Sequence, residues 1–115
     1  MLKLASNVRY TENGSPLKVG QGLWKSASGL GTYQHRLVDS ASQQAMFIGI
    51  FNEVTGPAIA AVRLGIIAGQ IAEIEHVVAR KGSHALFAPQ AFTNPHESLT
   101  SSVAADKRLS RERLI

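Results

Sequence analysis

The stretch "AIAAVRLGIIAGQIAEIEHVVAR", residues 58–80, decides the fold of this chain. Its Ile and Val content, its two glycines and the short spacing between turns favour two β-strands joined by a tight hairpin. A helix is the competing interpretation, because alanine is abundant in this stretch. The strand interpretation predicts one strand over residues 58–67 and a second over residues 70–80.

The register of this hairpin determines where its charged residues point. A three-residue loop that ends in a left-handed Gly69 is a common hairpin connection. In that register Arg63 lies opposite Glu73, and Glu75 falls on the same charged face. His76 then lies on the opposite, apolar face. A two-residue loop would shift the pairing by one position and mix the two faces, so we expect the three-residue loop.

Two more strands are predicted before the hairpin. "TYQHRLVD" (32–39) alternates, with Tyr33 and His35 on one face and Arg36 on the other, and "QAMFIGIFNEV" (44–54) is apolar on both faces, as in a central strand. The four strands predict an antiparallel meander. Further upstream, "ENGS" predicts a hairpin turn, and "GQGLWKSASGLG" (20–31) predicts one helical turn or a loop pinned by Trp24.

The domain organisation follows from a change in character after residue 82. Residues 1–82 are predicted to form the sheet domain, and residues 83–115 an extended tail that packs locally through Leu86, Phe87 and Phe92. His84 and His96 lie in the tail and are expected to be exposed. Ser110 is a candidate N-cap, so a helix is expected to begin in the last residues.

Composition limits the partners of the chain. Its 115 residues suffice for one domain, and the absence of cysteine excludes disulfides and thiolate chemistry. The net charge is +4, with a local excess of basic residues in "DKRLSRERLI", and the basic residues are not interleaved with aromatic ones, so we expect no nucleic-acid partner. No apolar run suits a membrane span or a signal peptide, so a cytoplasmic protein without a membrane partner is expected. The sequence holds no phosphate-binding loop and no diagnostic metal-ligand spacing, so no cofactor or metal is expected.

The candidate catalytic residues are His35 and His76. His35 is either a pocket acid–base group or a half-buried strand residue bonded to a neighbour. His76 is either a satisfied core or rim histidine or a catalytic one.

The candidate ligand-binding residues also have two interpretations each. Trp24 is expected to be a core residue, and the alternative is a core residue that also forms the wall of a ligand cavity. Arg63 and Glu73 form either an ion pair on a solvated face or a buried polar cluster that lines a cavity. The remaining candidates are aromatic side chains that either bind a ligand or pack within the sheet: Tyr10, Tyr33 and Phe47.

Five segments together resemble a SnoaL-like domain of the nuclear transport factor 2-like superfamily: "VRYTENG", "GQGLW", "LGTYQHRLVD", "PAIAAVRLGI" and "GQIAEIEHVVAR". The resemblance covers roughly residues 7–80, and the chain is similar to uncharacterised SnoaL-like domains of bacteria and fungi. It implies an α+β fold in which a curved antiparallel sheet surrounds a conical cavity, here with few or shortened helices. It also implies homodimers joined through the sheet and a pocket with ionisable groups of shifted pKa.

The chain departs from that family pattern in its acidic residues and its helices. The aspartate base of the related cyclases and isomerases has no counterpart, since the only aspartates are Asp39 and Asp106. The helical hairpin expected before "NVRYTENG" is missing, which suggests a shortened version of the fold. We therefore expect a small-molecule-binding or dimerisation module without chemistry. The alternative is a small lyase, isomerase or hydrolase that acts on an apolar metabolite, with His35 or His76 as general acid–base.

Overall fold

The computed structural model describes residues 2–82 and 88–115, and a six-stranded sheet dominates it. The strands are β1 (Lys3–Glu12), β2 (Ser15–Pro16), β3 (Ala27–Asp39), β4 (Gln44–Glu53), β5 (Gly56–Ile67) and β6 (Gln70–Arg80). The helices are α1 (Leu23–Ser26), α2 (Glu97–Thr100) and α3 (Arg111–Leu114), and 3-10 turns cover Pro89–Ala91 and Ala105–Lys107. All of these helices are single turns, too short to cross a membrane.

Strands β3 to β6 follow one another as an antiparallel meander, in the sheet order β2-β1-β6-β5-β4-β3. The strand interpretation of residues 58–80 is therefore confirmed, and the helical one is wrong. The central position of β4, which pairs with β3 on one side and β5 on the other, is confirmed as well. Its apolar residues on both faces suit a strand in the interior of a sheet.

The predicted fold class, an α+β cone built on an antiparallel sheet, is wrong. Strand β1 runs parallel to β6, which makes the sheet mixed, and the helices are single turns. Tight turns between neighbours specify the antiparallel pairs. The β1–β6 pair instead joins segments that lie far apart in the chain, and no turn residue signals such a contact.

Asn13 fastens β1 to β6. It forms a two-residue turn with Gly14, in which both residues have positive φ, 49° and 80°, as the Asn-Gly pair predicts. The Asn13 N–H donates to the carbonyl of His76 at 2.8 Å. Its side-chain amide then accepts from the Val78 N–H at 2.8 Å and donates to the Val78 carbonyl at 3.1 Å. The side chain thus takes the place of one more backbone unit of β1.

The hairpin loop between β5 and β6 has two residues, so the predicted three-residue loop is wrong. Ala68 and Gly69 both have positive φ, 49° and 74°, and Ile67 pairs with Gln70. Positive φ at both positions is the signature of the hairpin turn whose twist matches the strands. Gly69 is left-handed, as predicted, but Ala68 is left-handed too.

A bulge corrects the register that this short loop would give. Ile71 pairs with Ile66, whereas Glu73 pairs with Gly65, so Ala72 is the extra residue. The pairing is therefore two positions away from the predicted one, with Arg63 opposite Glu75. Because the side-chain period of a strand is two, this shift leaves the predicted faces unchanged.

The core lies between α1 and one face of the sheet. Leu23, only 1% exposed, packs on Ala58, Ala60 and Val78. The small alanine side chains let the helical turn lie close to the sheet. Trp24 remains 47% exposed, so the interpretation of Trp24 as a core residue is wrong, and its neighbour Leu23 is the anchor.

The tail contacts the opposite face of the sheet. Phe92 meets Tyr33 edge-on with ring centroids 5.4 Å apart, and the turn Pro89–Ala91 packs against β5. Helix α3 begins after Ser110, as predicted. The predictions for Leu86, Phe87 and His84 lie outside the described residues, while His96 is exposed, as expected.

Candidate ligand-binding cleft

A cleft of about 430 Å³ lies between α1 and the sheet. The residues that line it are Leu23, Trp24, Ala27, Leu30, Arg36, Phe47, Phe51, Val62 and His76. Seven of these nine side chains are apolar, and the two polar ones are Arg36 and His76. This combination of an apolar wall with few polar groups is typical of small-molecule sites.

The sheet register aligns four of these residues in one row. Arg36 pairs with Phe47, Phe47 with Val62, and Val62 with His76, across strands β3 to β6. Glu12 of β1 continues the row beyond His76. Directly paired residues project from the same face. The two polar groups therefore stand at opposite ends of an apolar strip formed by Phe47 and Val62, which we call the cleft row.

Tyr10 fixes the tautomer of His76. The Tyr10 hydroxyl donates to the carbonyl of Gln21 at 2.8 Å, and its oxygen lies 3.3 Å from His76 Nδ1. A phenol has a single proton to donate, so the hydroxyl accepts from Nδ1–H. The neutral imidazole then carries its free lone pair on Nε2.

Nε2 of His76 is open to the cleft. His76 as a residue is only 6% exposed. Among the described residues, only Nδ1 of the imidazole has a hydrogen-bond partner. In the same residues, every side-chain nitrogen or oxygen that is fully buried does have a partner. Nε2 is therefore reached by solvent, and the cleft is the space that His76 lines. Burial lowers the pKa of His76, with Glu12 opposing the shift, which favours the neutral form.

Arg36 is held in place at the other end of the cleft row. Its Nη2 donates to Gln34 Oε1 at 2.7 Å, and Gln34 Nε2 donates to the carbonyl of Gly31 at 3.0 Å. The guanidinium carbon lies 5.4 Å from the centre of the Phe47 ring, a cation–π distance. No carboxylate within residues 2–82 and 88–115 pairs with Arg36.

An ionic cluster fastens α1, and with it Trp24, to the sheet. Arg80 bonds both oxygens of Glu53, at 2.7 and 2.9 Å, and contacts Glu12 at 3.2 Å. Glu12 also accepts from the Leu23 N–H at 3.1 Å, and Glu53 accepts from the Ser26 hydroxyl. Hydrogen bonds from Arg80 hold the pKa of the Glu53 carboxyl below its usual value despite burial.

The structure brings together three of the predicted site residues: Trp24, Phe47 and His76 all line the cleft. Tyr10 lies behind His76, 2% exposed, with its ring 5.1 Å from the imidazole and 6.2 Å from the Trp24 ring. Tyr10 therefore positions two cleft residues from behind.

His35 lies on the opposite face of the sheet from His76. The cross-strand row that begins at His35 ends at Val77 in β6, and Val77 is the residue next to His76. The two residues between them in this row are Ile48 and Ala61. Successive strand residues point to opposite faces, so the two histidines cannot serve one site. Tyr33 shares the face of His35 and packs on Phe92.

Arg63 and Glu73 also lie on the opposite face. Arg63 bonds Glu73 at 2.8 Å and Glu75 at 3.0 Å, and these side chains are between 26% and 45% exposed. The ion-pair interpretation is confirmed, with Arg63 bridging two glutamates. Arg63, with a smaller contribution from Arg9, lowers the pKa of Glu73. No group of three or more His, Asp or Glu side chains in the described parts of the chain could hold a metal ion.

Sequence reasoning missed Arg36, Val62 and the cluster of Glu12, Glu53 and Arg80. A signal for Arg36 was present, because strict alternation in β3 places it on the face away from His35. The ionic cluster had no such signal, since it depends on the parallel approach of β1 to β6. Comparisons with protein-family models, curated proteins and solved structures gave no match for this chain.

Proposed function

We propose that this chain is a binding module for an apolar small molecule, which occupies the cleft between α1 and the sheet. The observation that carries the proposal is an apolar cleft of about 430 Å³ whose two polar groups stand at opposite ends of one cross-strand row. The volume falls within the usual range for small-molecule sites. The resemblance to SnoaL-like domains points to the same class of function and is itself part of the proposal.

Exposed apolar surface in the cleft supports binding. Trp24 is 47% exposed and Leu30 46% exposed, and both line the cleft. A bound apolar molecule would remove this surface from water, which contributes about 25 cal/mol for each Å² buried.

The proposal is tested by titrating a hydrophobic naphthalene sulfonate dye into the protein while light scattering reports the mass of the same sample. We expect saturable binding of one dye per chain. Binding that does not saturate, or no binding to a folded protein, would contradict a defined cleft.

A second candidate is catalysis by His76 as a general base. The observation that favours it is the Tyr10 contact, which leaves Nε2 as a free acceptor in the cleft. Such a base would remove a proton next to a carbonyl in an apolar ketone. Deuterium exchange into 2-tetralone in heavy water, followed by NMR, should be faster with the wild type than with His76→Phe. Equal exchange rates would leave binding as the only function of the cleft.

We further propose that the chain forms a homodimer through its sheet. The outer side of β3 is unpaired in the described part of the chain, and the strand carries Val38 at 80% and Leu37 at 43% exposure. Long apolar strand edges tend to pair with another chain.

A further inference from the structure

We propose that the cleft selects elongated apolar molecules with an anionic group at one end, bound by Arg36, and a hydrogen-bond donor at the other, bound by His76 Nε2. This inference rests on the proposed function, because it names the chemistry of the ligand for the same cleft. The cleft row supports this inference. A ligand that lies along the row meets a cation, then two apolar side chains, then the imidazole, in that order.

The length of the ligand follows from the sheet. Neighbouring strands lie about 4.8 Å apart, and Arg36 and His76 are separated by three such steps. The guanidinium lies 5.4 Å from the centre of the Phe47 ring, which is about one strand spacing. The three steps correspond to roughly 14 Å. Hydrogen bonds of about 3 Å at each end leave roughly 8 Å between the polar atoms of the ligand, about the distance between the two substituents of a 2,6-substituted naphthalene.

The anionic end follows from the unmatched charge of Arg36. Gln34 occupies Nη2 of Arg36 and fixes the side chain, while no carboxylate of the described chain neutralises it. A guanidinium can donate two parallel hydrogen bonds to one carboxylate. The Phe47 ring contacts the guanidinium and keeps it at the end of the cleft row.

The donor end follows from the tautomer of His76. Nδ1 carries the proton that meets Tyr10, so Nε2 can only accept. A hydroxyl or N–H group fits there, and a carboxylate would meet a lone pair. Glu12 lies opposite His76 in the register and repels an anion as well. The ligand is therefore oriented, with its negative end towards Arg36.

The test compares three naphthalene probes by calorimetry: 6-hydroxy-2-naphthoate carries both groups, 2-naphthoate lacks the hydroxyl, and 2-naphthol lacks the carboxylate. The first should bind roughly three- to tenfold more tightly than either of the others, the factor expected for one further hydrogen bond or for an ion pair with an exposed arginine. Arg36→Gln should remove the advantage of the carboxylate and leave 2-naphthol unchanged.

The control variant is Arg9→Gln, which makes the same charge change on the opposite face of the sheet and should bind all three probes as the wild type does. His76→Phe should abolish the advantage of the hydroxyl only. If His76→Phe does not fold, the wild-type comparison of 6-hydroxy-2-naphthoate with 2-naphthoate still decides that end.

Equal affinity for the three probes, or an Arg36→Gln variant that keeps its preference for carboxylates, would overturn the inference while the proposed function stands. Failure of all three probes to bind would overturn both.

Discussion

The side chain of His76 is buried, forms a hydrogen bond on one side of its ring and faces the cleft on the other. Its Nδ1 meets a buried tyrosine, its Nε2 opens to the cleft, and burial lowers its pKa. A histidine on the apolar face of β6 was predictable from strand alternation. Its tautomer was not, because Tyr10 and Gln21 lie far from it in sequence and reach it only through the parallel pairing of β1 with β6.

The lowered pKa of His76 predicts a loss of stability in mild acid. The unfolded chain, with a histidine pKa near 6.5, takes up a proton more readily than the folded chain. The stabilising contribution is therefore complete above about pH 6.5 and falls as the pH decreases, by at most about 1.4 kcal/mol per pH unit. Urea unfolding at about pH 7.5 and about pH 5.5 measures this loss of stability. Both pH values lie above the range in which Glu53 titrates, because the pKa of Glu53 is lowered.

His76→Phe should reduce the pH dependence between these two conditions, whereas His96→Gln, which changes an exposed histidine, should keep it. An undiminished loss in His76→Phe would assign the acid sensitivity to another group.

The turn before β6 shows how one residue sets an element. Ala68 has a φ of 49°, a left-handed conformation that costs an alanine about 1 kcal/mol and suits asparagine. Ala68→Asn should therefore stabilise the protein by roughly 0.5–1 kcal/mol in urea unfolding. Ala41→Asn, in the turn between β3 and β4, should change stability by less than about 0.5 kcal/mol. No gain from Ala68→Asn would argue for the three-residue loop.

The helical turn α1 is held by charge as well as by Leu23. Glu53→Gln removes the bidentate carboxylate from Arg80, which is 36% exposed and keeps Glu12, so the change should cost about 1–2 kcal/mol of unfolding free energy. Glu73→Gln removes an equivalent charge from the more exposed pair with Arg63 and should cost less than about 1 kcal/mol. Trp24 emission should shift to the red in Glu53→Gln alone, because α1 carries Trp24. Equal effects of the two substitutions would contradict the role of the cluster in holding α1.

At the scale of elements, local sequence patterns predicted where the strands lie more reliably than they predicted which strands pair with each other. The four long strands and the helical turn near Trp24 follow from alternation, β-branched residues and glycine spacing in the sequence. The bulge at Ala72 does not, since it arises from the conflict between a two-residue turn and the need to keep Arg63 with the glutamates.

The whole molecule was the least predictable from sequence. The parallel position of β1 makes the sheet mixed, and it also assembles Glu12, Glu53 and Arg80 under α1. Neither feature has a local sequence signature, and the antiparallel cone that the resemblance implies lacks the parallel β1–β6 pair. Trp24 and His76 were found because each stands out in its own segment, as an aromatic residue in a Gly- and Ser-rich stretch and as a histidine on the apolar face of a strand. Phe47 was a candidate only as an aromatic residue in an apolar strand.

The proposed dimer predicts a mass twice that of one chain by light scattering. Val38→Asp places a charge on the exposed edge strand and should give the mass of a single chain. Val54→Asp introduces the same charge at a fully exposed turn position and should leave the mass unchanged. A wild type that scatters as a monomer would contradict the dimer.

Because Trp24 is the only tryptophan, its fluorescence reports directly on the cleft. The decisive measurement is energy transfer from Trp24 to the bound naphthalene sulfonate dye in the wild type, in Val62→Gln and in Val77→Gln. Val62 lies in the floor of the cleft, whereas Val77 is exposed on the opposite face. We predict saturable transfer in the wild type and in Val77→Gln, and dye affinity at least about tenfold weaker in Val62→Gln, where burying an amide costs more than 1.4 kcal/mol. Transfer that is insensitive to Val62→Gln would place the dye elsewhere and contradict the cleft as the binding site.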